Sequence, residues 1–389
     1  MKRIICLFLC LLFVFITGCS PKAEHNSSES IKKSSSSNTE QNIVEGTDGG
    51  FYISEALDIT NIIRLIPLNE REIYVIGAKR DKAFEQREIV YGVLNIEEKE
   101  SAVLHREFTS VDGVENSAVQ INSDGLTEFF TGQKILVFDG YNLVDTQPVA
   151  VDKKESFVDL KQKKLAVIEN ESLILYLKTL NEGDEKQTAI YKPEKREVDG
   201  KEYILFPFTP KIKIYENRII YGVAENDTMN YKKIVVSDFD GKVIGEIGDL
   251  EIRADNIFFY FSENGFVTVE TSDHLTDGTE KEVTFFAEYS EEGKIISEQT
   301  INGVLLDGQE KMFDGCSLYA YAYAIGSDSG VAIYDFYNKT AYRIKAVDGY
   351  VISPTVTPSG KRVVWANGGA VFFEDINDLE AKEIIEAVK

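Results

Sequence analysis

Residues 331–344 read VAIYDFYNKTAYRI: an apolar run ends at Asp335, a short polar turn follows, and a second apolar run begins. Val, Ile and Tyr favour pleated strands while Asp and Asn favour tight reversals, so the stretch predicts a β-hairpin. The same unit recurs along the chain. IVYGVLNIEEKESAVL starts at Ile89, ILVFDGYNLVDTQPV at Ile135, LILYLKTLNEG at Leu173 and IVVSDFDGKVIGEI at Ile234. TFFAEYSEEGKIISE follows from Thr284 and VFFEDINDLEAKEII from Val371. Their strand-end residues, Asn95, Asp139, Lys178, Asp238, Glu288, Asp335 and Asp375, stand 39 to 60 residues apart, about 47 on average. That is the length of a four-stranded propeller blade. A further β-rich run precedes most of these units: EIYVIGA from Glu72, NRIIYGVA from Asn217, GFVTVET from Gly265 and KRVVWAN from Lys361.

The expected fold is therefore all-β, a β-propeller of seven blades over residues 51–389, with six or eight also compatible with the markers. Radial repetition explains how such a chain does without long helices: every small sheet buries both faces against its neighbours, and ring closure protects the edges. The long step between Lys178 and Asp238 contains AIYKPEKREVDGKEYILF, which reads as a hairpin insertion or an uncounted half-blade. FYISEALDIT from Phe51 is placed to complete the last blade and lock the ring. At the other end Asn377, with Glu380 three residues on, forms a capping-box pattern, so the final strand has a short helix as its alternative.

The last unit, ISPTVTPSGKRVVWANGGAVFFEDI from Ile352, resembles the repeat of TolB-like propellers, in which a Ser-Pro-Asp-Gly-Lys turn precedes two strands. Here Thr357-Pro358-Ser359-Gly360-Lys361 stands in for that turn. Pro sets φ and Gly takes the positive-φ position. The match spans about 25 residues, and it implies a propeller without specifying an activity. Trp365 is the only tryptophan, which does not fit the Trp-Asp repeat family.

At the N-terminus, Lys2 and Arg3 precede an apolar run from Ile4 to Ile16, short for a membrane span and right for a secretory signal. The run ends in Ile16-Thr17-Gly18-Cys19, which resembles the lipobox of bacterial lipoproteins. The resemblance implies cleavage after residue 18, lipidation of Cys19 and extracytoplasmic attachment to the cell membrane. Residues 19–50, with four consecutive serines and no aromatic residue, read as a flexible linker. Once the signal is removed and Cys19 lipidated, Cys316 stands alone, so no internal disulfide is expected.

Across 389 residues, 65 acidic side chains oppose 42 basic ones for a formal charge of −23, which argues against a nucleic-acid partner. The sequence holds no G-x-S-x-G, H-E-x-x-H, C-x-x-C, phosphate loop or calcium loop. His274, in Ser272-Asp273-His274-Leu275-Thr276-Asp277-Gly278, could act as a base or ligate a metal with Asp273 and Asp277. A solvated turn is the plainer account. LYAYAYA from Leu318 puts Tyr319, Tyr321 and Tyr323 on one strand face, either as a platform for a sugar or peptide or as packing between sheets. Cys316 beside it reads as a small core hydrophobe. Glu97, Glu98, Glu169, Glu171, Glu291 and Glu292 cluster at hairpin tips, where charged runs usually face solvent. No cofactor is indicated. The expectation is a membrane-anchored binding or scaffold module for an envelope protein, peptide or glycan. The alternative is an envelope hydrolase or lyase with carboxylates in the central funnel.

Overall fold

A computed structural model of the chain describes residues 41–46, 48–79, 87–109, 117–149, 156–169, 171–180, 187–198, 200–225, 230–274, 280–313 and 316–388. Within them the strands form seven antiparallel sheets that follow one another along the chain. Blade 1 comprises Asn61–Pro67, Glu72–Lys79, Arg87–Asn95 and Glu100–Thr109. Blade 2 comprises Ala118–Ile121, Thr127–Phe130, Lys134–Asp139 and Asn142–Pro148. Blade 3 holds Ser156–Asp159, Lys164–Ile168, Leu175–Thr179 and Thr188–Tyr191. Blade 5 holds Ile257–Ser262, Gly265–His274, Glu280–Ser290 and Ile295–Asn302. In blade 6, Val304–Phe313, Cys316–Ile325, Asp328–Asp335 and Thr340–Ala346 pair in order.

Every one of the seven marker residues lies in the third strand of its blade, at or near its end. The reason is a turn made by the side chain itself. The Asn95 Oδ1 accepts the amides of Glu97 and Glu98, Asp238 Oδ1 those of Asp240 and Lys242, and Asp335 Oδ1 those of Tyr337 and Asn338. Each reversal from third to fourth strand in these blades is thus wound by a local Asx contact. In blade 7 the Gly360 amide donates to the Thr357 carbonyl and Gly360 takes φ 73°, as the Thr-Pro-Ser-Gly reading requires.

Seven apolar clusters fill the seven spaces between consecutive blades. Ile76 and Tyr91 of blade 1 meet Phe129 and Leu136 of blade 2, and Phe130 and Val137 of blade 2 meet Leu165 and Val167 of blade 3. The series continues through Leu175 with Tyr221, Val236 with Phe259, and Phe286 with Tyr321, to Ala320 with Trp365. Val364 and Val371 of blade 7 then pack on Val75 and Val90 of blade 1, which closes the ring. Central strands therefore send alternate side chains to opposite neighbours: Ile73 and Val75 to blade 7, Tyr74 and Ile76 to blade 2. Each large aliphatic or aromatic side chain buried this way contributes roughly 1.5–3 kcal/mol.

Blade 7 is built from both ends of the chain. Ile352–Val356, Arg362–Asn367 and Ala370–Asp375 are extended by Phe51–Tyr52 and then Val44–Glu45, as expected of FYISEALDIT. One detail differs from the sequence reading, and one alternative is resolved. Gln41–Asn42 caps the outer edge of blade 1, and Ile43 is buried beside it, so the fold begins inside the stretch read as linker to residue 50. The Ile43 side chain supplies burial that the surrounding polar composition hid. The C-terminal segment forms the strand Glu383–Ile385 on the outer edge of blade 6 and not a capped helix; Asp378 Oδ1 accepts the Ala381 amide in the turn before it.

Blade 4 settles the long step. Its 15-residue strand Lys201–Tyr215 shifts register between Pro207 and Ile212. Only Ile212–Tyr215 occupies the inner position of the blade, while the first half pairs with Glu194–Val198 on one edge and Arg218–Glu225 on the other. The segment is a hairpin insertion on the axis-facing edge. Asn230–Asp238 and Val243–Ile247 complete the sheet. Among the described residues helix is confined to Ser54–Leu57 and the 3₁₀ turn Ala254–Asn256, and none of it is long and apolar enough to cross a membrane.

Candidate functional site

The innermost strands of all seven blades enclose one cavity of about 710 Å³. Ile66 of blade 1, Val119 of blade 2 and Val158 of blade 3 line it, with Ile214, Tyr260, Leu306 and Ile352 from blades 4 to 7. The volume lies within the range of small-molecule sites. Tyr350, which precedes the inner strand of blade 7, lines the cavity and is 64% exposed, so the space reaches the surface there.

Among the described residues, three charged side chains stand in these aliphatic walls: Arg64, Lys213 and Asp307. Asp307 sits near the start of its inner strand. Its Oδ2 accepts the Ser353 amide at 2.7 Å and its Oδ1 the Gly308 amide at 2.8 Å. Burial pushes its carboxyl above the ordinary range, against those two amides and the nearby Arg64 guanidinium, which pull the other way. Ser353 is buried at φ 51° and precedes Pro354; its Oγ accepts the Leu65 amide at 3.0 Å. Blades 6, 7 and 1 are thereby stitched together beside the axis by two contacts through a single serine. A non-glycine residue held in the left-handed region costs roughly 1–3 kcal/mol and persists where its surroundings fix it. Across the cavity wall, Lys213 Nζ lies 4.9 Å from the centroid of the Tyr260 ring, and the Tyr260 hydroxyl donates to that of Tyr319 at 3.2 Å. Ser117 also lines the cavity; it is 2% exposed, and its hydroxyl has no hydrogen-bond partner among the described residues.

A second polar cluster sits on the outer strand of blade 1. Glu107 receives the Tyr91 hydroxyl at 2.6 Å and the Lys134 ammonium at 2.5 Å, with His105 Nε2 at 3.8 Å. Burial pushes the Glu107 carboxyl up, but the contacts from His105, Lys134 and Tyr91 outweigh it and hold it at about 2. Tyr91 stacks on His105 and meets Phe129 edge-on. The set resembles an acid–base constellation in residue type, yet its members are spent on one another and none lines the axial cavity.

Tyr319, Tyr321 and Tyr323 are buried between blades 5 and 6, with Phe286 among them, while Ala320 and Ala322 face blade 7. Packing, and not an exposed platform, is where the structure puts these rings. Asp273 and His274 end the second strand of blade 5, whereas Asp277 and Cys19 lie outside the described residues. The turn carboxylates are engaged locally: Glu98 and Glu169 accept from Asn95 and Ser172, and Glu291 pairs with Arg218 of blade 4. Among the described residues no group of three or more His, Cys, Asp or Glu side chains could hold a metal ion. Arg64, Lys213, Asp307 and Ser353 went unnoticed in the sequence because each comes from a different blade and none sits in a motif.

No family model and no curated protein matches the chain. Among solved structures it is similar to an oligogalacturonate lyase in complex with manganese, at 12% identity and a TM-score of 0.52 over 87% of this chain and 97% of that one. A Vibrio parahaemolyticus oligogalacturonate lyase (12% identity, TM-score 0.44, 87% and 97% covered) and TolB from Acinetobacter baumannii (15%, 0.39, 81% and 82%) are more distant. At such identity the first likeness establishes a shared fold alone, and the other two add no argument. What the blades, the seven inter-blade cores and this likeness establish together is that the chain is a β-propeller.

Proposed function

We propose that the protein is a lipid-anchored extracytoplasmic binding or scaffold module whose propeller holds a protein, peptide or other envelope component without transforming it. The observation that carries this reading is the composition of the axis. Seven inner strands present aliphatic and aromatic walls in which, among the described residues, Asp307 is the one lining carboxylate, and both of its oxygens already accept backbone amides. A hydrolase or lyase of the kind weighed for this chain needs two converging carboxylates, or a base beside a nucleophile, in the funnel. The lyase activity and the manganese belong to the similar protein; Asp307 alone does not supply such a donor set here. Anchoring is supported by the Ile16-Thr17-Gly18-Cys19 pattern that follows a basic start and an apolar run.

The test has two arms. In cells, the wild-type chain should fractionate with membranes and incorporate labelled palmitate, and Cys19→Ala should lose the label; an unlabelled, soluble wild-type chain rejects the anchor. In vitro, the purified chain should retain a defined envelope component on an affinity matrix and release it chemically unchanged. Turnover of any envelope glycan or peptide that is abolished by Asp307→Asn would reject the non-catalytic reading.

A further inference from the structure

The outer rim of the ring already accepts added strands from the chain itself. Gln41–Asn42 extends the outer strand of blade 1, Val44–Glu45 that of blade 7, and Glu383–Ile385 that of blade 6. The C-terminal segment then crosses to blade 5. There the Asn302 amide donates to the Glu386 carbonyl at 3.1 Å, the Val388 amide donates to the Thr300 carbonyl at 2.9 Å, and Ile301 bridges Ala387. The same edge runs on from Thr300 back to Ile295, where it pairs with no further strand among the described residues.

That stretch differs from the other outer edges. A Cβ on Gly241 would stand 2.8 Å from the Ala189 carbonyl oxygen, and one on Gly245 2.0 Å from that of Glu291. The turns of blades 4 and 5 therefore press on the outer strands of blades 3 and 4. Blade 1 carries Arg106 and Glu107 in ion pairs, and blade 2 carries Asp145 and ends in Pro148, which has no amide to donate. Ile295–Gln299 holds neither proline nor lysine, and Ile295 and Ile296 are 58% and 45% exposed. Aliphatic side chains on a free edge invite pairing. Glu298, and Glu386 on the added segment, are exposed and form no ion pair among the described residues, while Lys294 belongs to the turn before the stretch. Opposite charges across paired strands attract and like charges repel, which favours a basic partner.

We propose that the outer edge of blade 5 at Ile295–Gln299 docks an extended peptide of alternating apolar and basic residues, laid in line with the chain's own C-terminal segment. Backbone pairing supplies the affinity, Ile295 and Ile296 offer apolar contact, and Glu298 selects the sign of charge. This names a surface for the binding reading given above and rests on it.

Fluorescence anisotropy of the full chain with labelled decapeptides, at about 0.15 M ionic strength to screen distant charges, tests this. One peptide alternates lysine and valine, a second glutamate and valine, and a third is the lysine form with every amide N-methylated. The lysine peptide is expected to bind at one equivalent, at least roughly tenfold tighter than its N-methylated form, which keeps the charge and loses the donors. The glutamate peptide should be weakest. Hydrogen exchange should slow over residues 295–299. Ile296→Lys should weaken the lysine peptide severalfold, while Val144→Lys, the same change on an exposed residue of blade 2, should leave it unchanged. Equal binding of the N-methylated form, a preference for glutamate, protection confined to other strands, or equal effects of the two variants overturns the inference. Binding of none of the three peptides overturns it as well and leaves the axial cavity as the place where the module binds. The bound peptide should be recovered intact; its cleavage would overturn the non-catalytic reading, and the exchange pattern would still decide the edge. The wild-type comparison stands whether or not the variants fold.

Discussion

Glu107 and Asp307 are both shielded carboxylates near inter-blade contacts, and they lead opposite lives. Glu107, whose side chain is 18% exposed, is surrounded by a lysine, a histidine and a tyrosine that hold it ionised. Asp307 has two backbone amides and a more distant arginine, and burial raises its carboxyl instead. The outer cluster has the residue types of a catalytic site but no space, for its groups satisfy one another. The axial group has little chemistry but borders a cavity of about 710 Å³. Room marks the candidate site in this ring, and a dense set of titratable side chains marks a joint.

The largest effect should come from breaking the outer cluster. Lys134→Met leaves Glu107 shielded without its closest cation and should cost about 2–3 kcal/mol at neutral pH in urea unfolding. Its deficit should narrow in acid, because the variant carboxyl titrates higher and protonation relieves the stranded charge. The wild-type protein carries the complementary signature. With Glu107 held at about 2, its contribution to stability is complete above the ordinary carboxylate range and fades as pH falls from about 4.5 towards 2. A wild-type stability flat across that window would show that the cluster is not the joint described.

On the axis the effects should be smaller. Ser353→Ala deprives the Leu65 amide of its acceptor and should cost about 1–2 kcal/mol, with no pH dependence tied to the outer cluster. Between blades 5 and 6, Tyr321→Phe, read by thermal unfolding, should be neutral or stabilising by up to about 1 kcal/mol. This hydroxyl is buried at 1% exposure and has no partner among the described residues, so removing it deletes a desolvation cost. A marked loss would show that the ring carries a contact of a different kind.

The sequence made the outer part of each blade legible and the inner part obscure. Asn95, Asp238 and Asp335 could be read because their side chains make the turn they mark, a contact contained within a few residues. Central strands such as Glu72–Lys79 and Arg218–Glu225 showed as near-continuous apolar runs because both faces are buried. Inner strands as short as Ala118–Ile121 and Ser156–Asp159 carry too few residues to stand out. The cavity was hidden for a further reason. Arg64, Lys213 and Asp307 are far apart in sequence and become neighbours only when the ring closes. The tyrosine run from Tyr319 shows the converse: a conspicuous local pattern left two roles open, platform or packing, and its burial against Phe286 depends on the adjoining blade.

Blade 7 also governs when the molecule can exist at all. Phe51–Tyr52 and the Val44–Glu45 strand beside it join blade 7 only through Ala370–Val371, so this early hairpin has no sheet to complete until nearly the whole polypeptide has been made. Joining segments so remote in the chain carries a large loop-closure entropy and a slow search. A translating ribosome therefore holds an open arc with a bare edge for most of its transit, and the native circle is the last event in biogenesis.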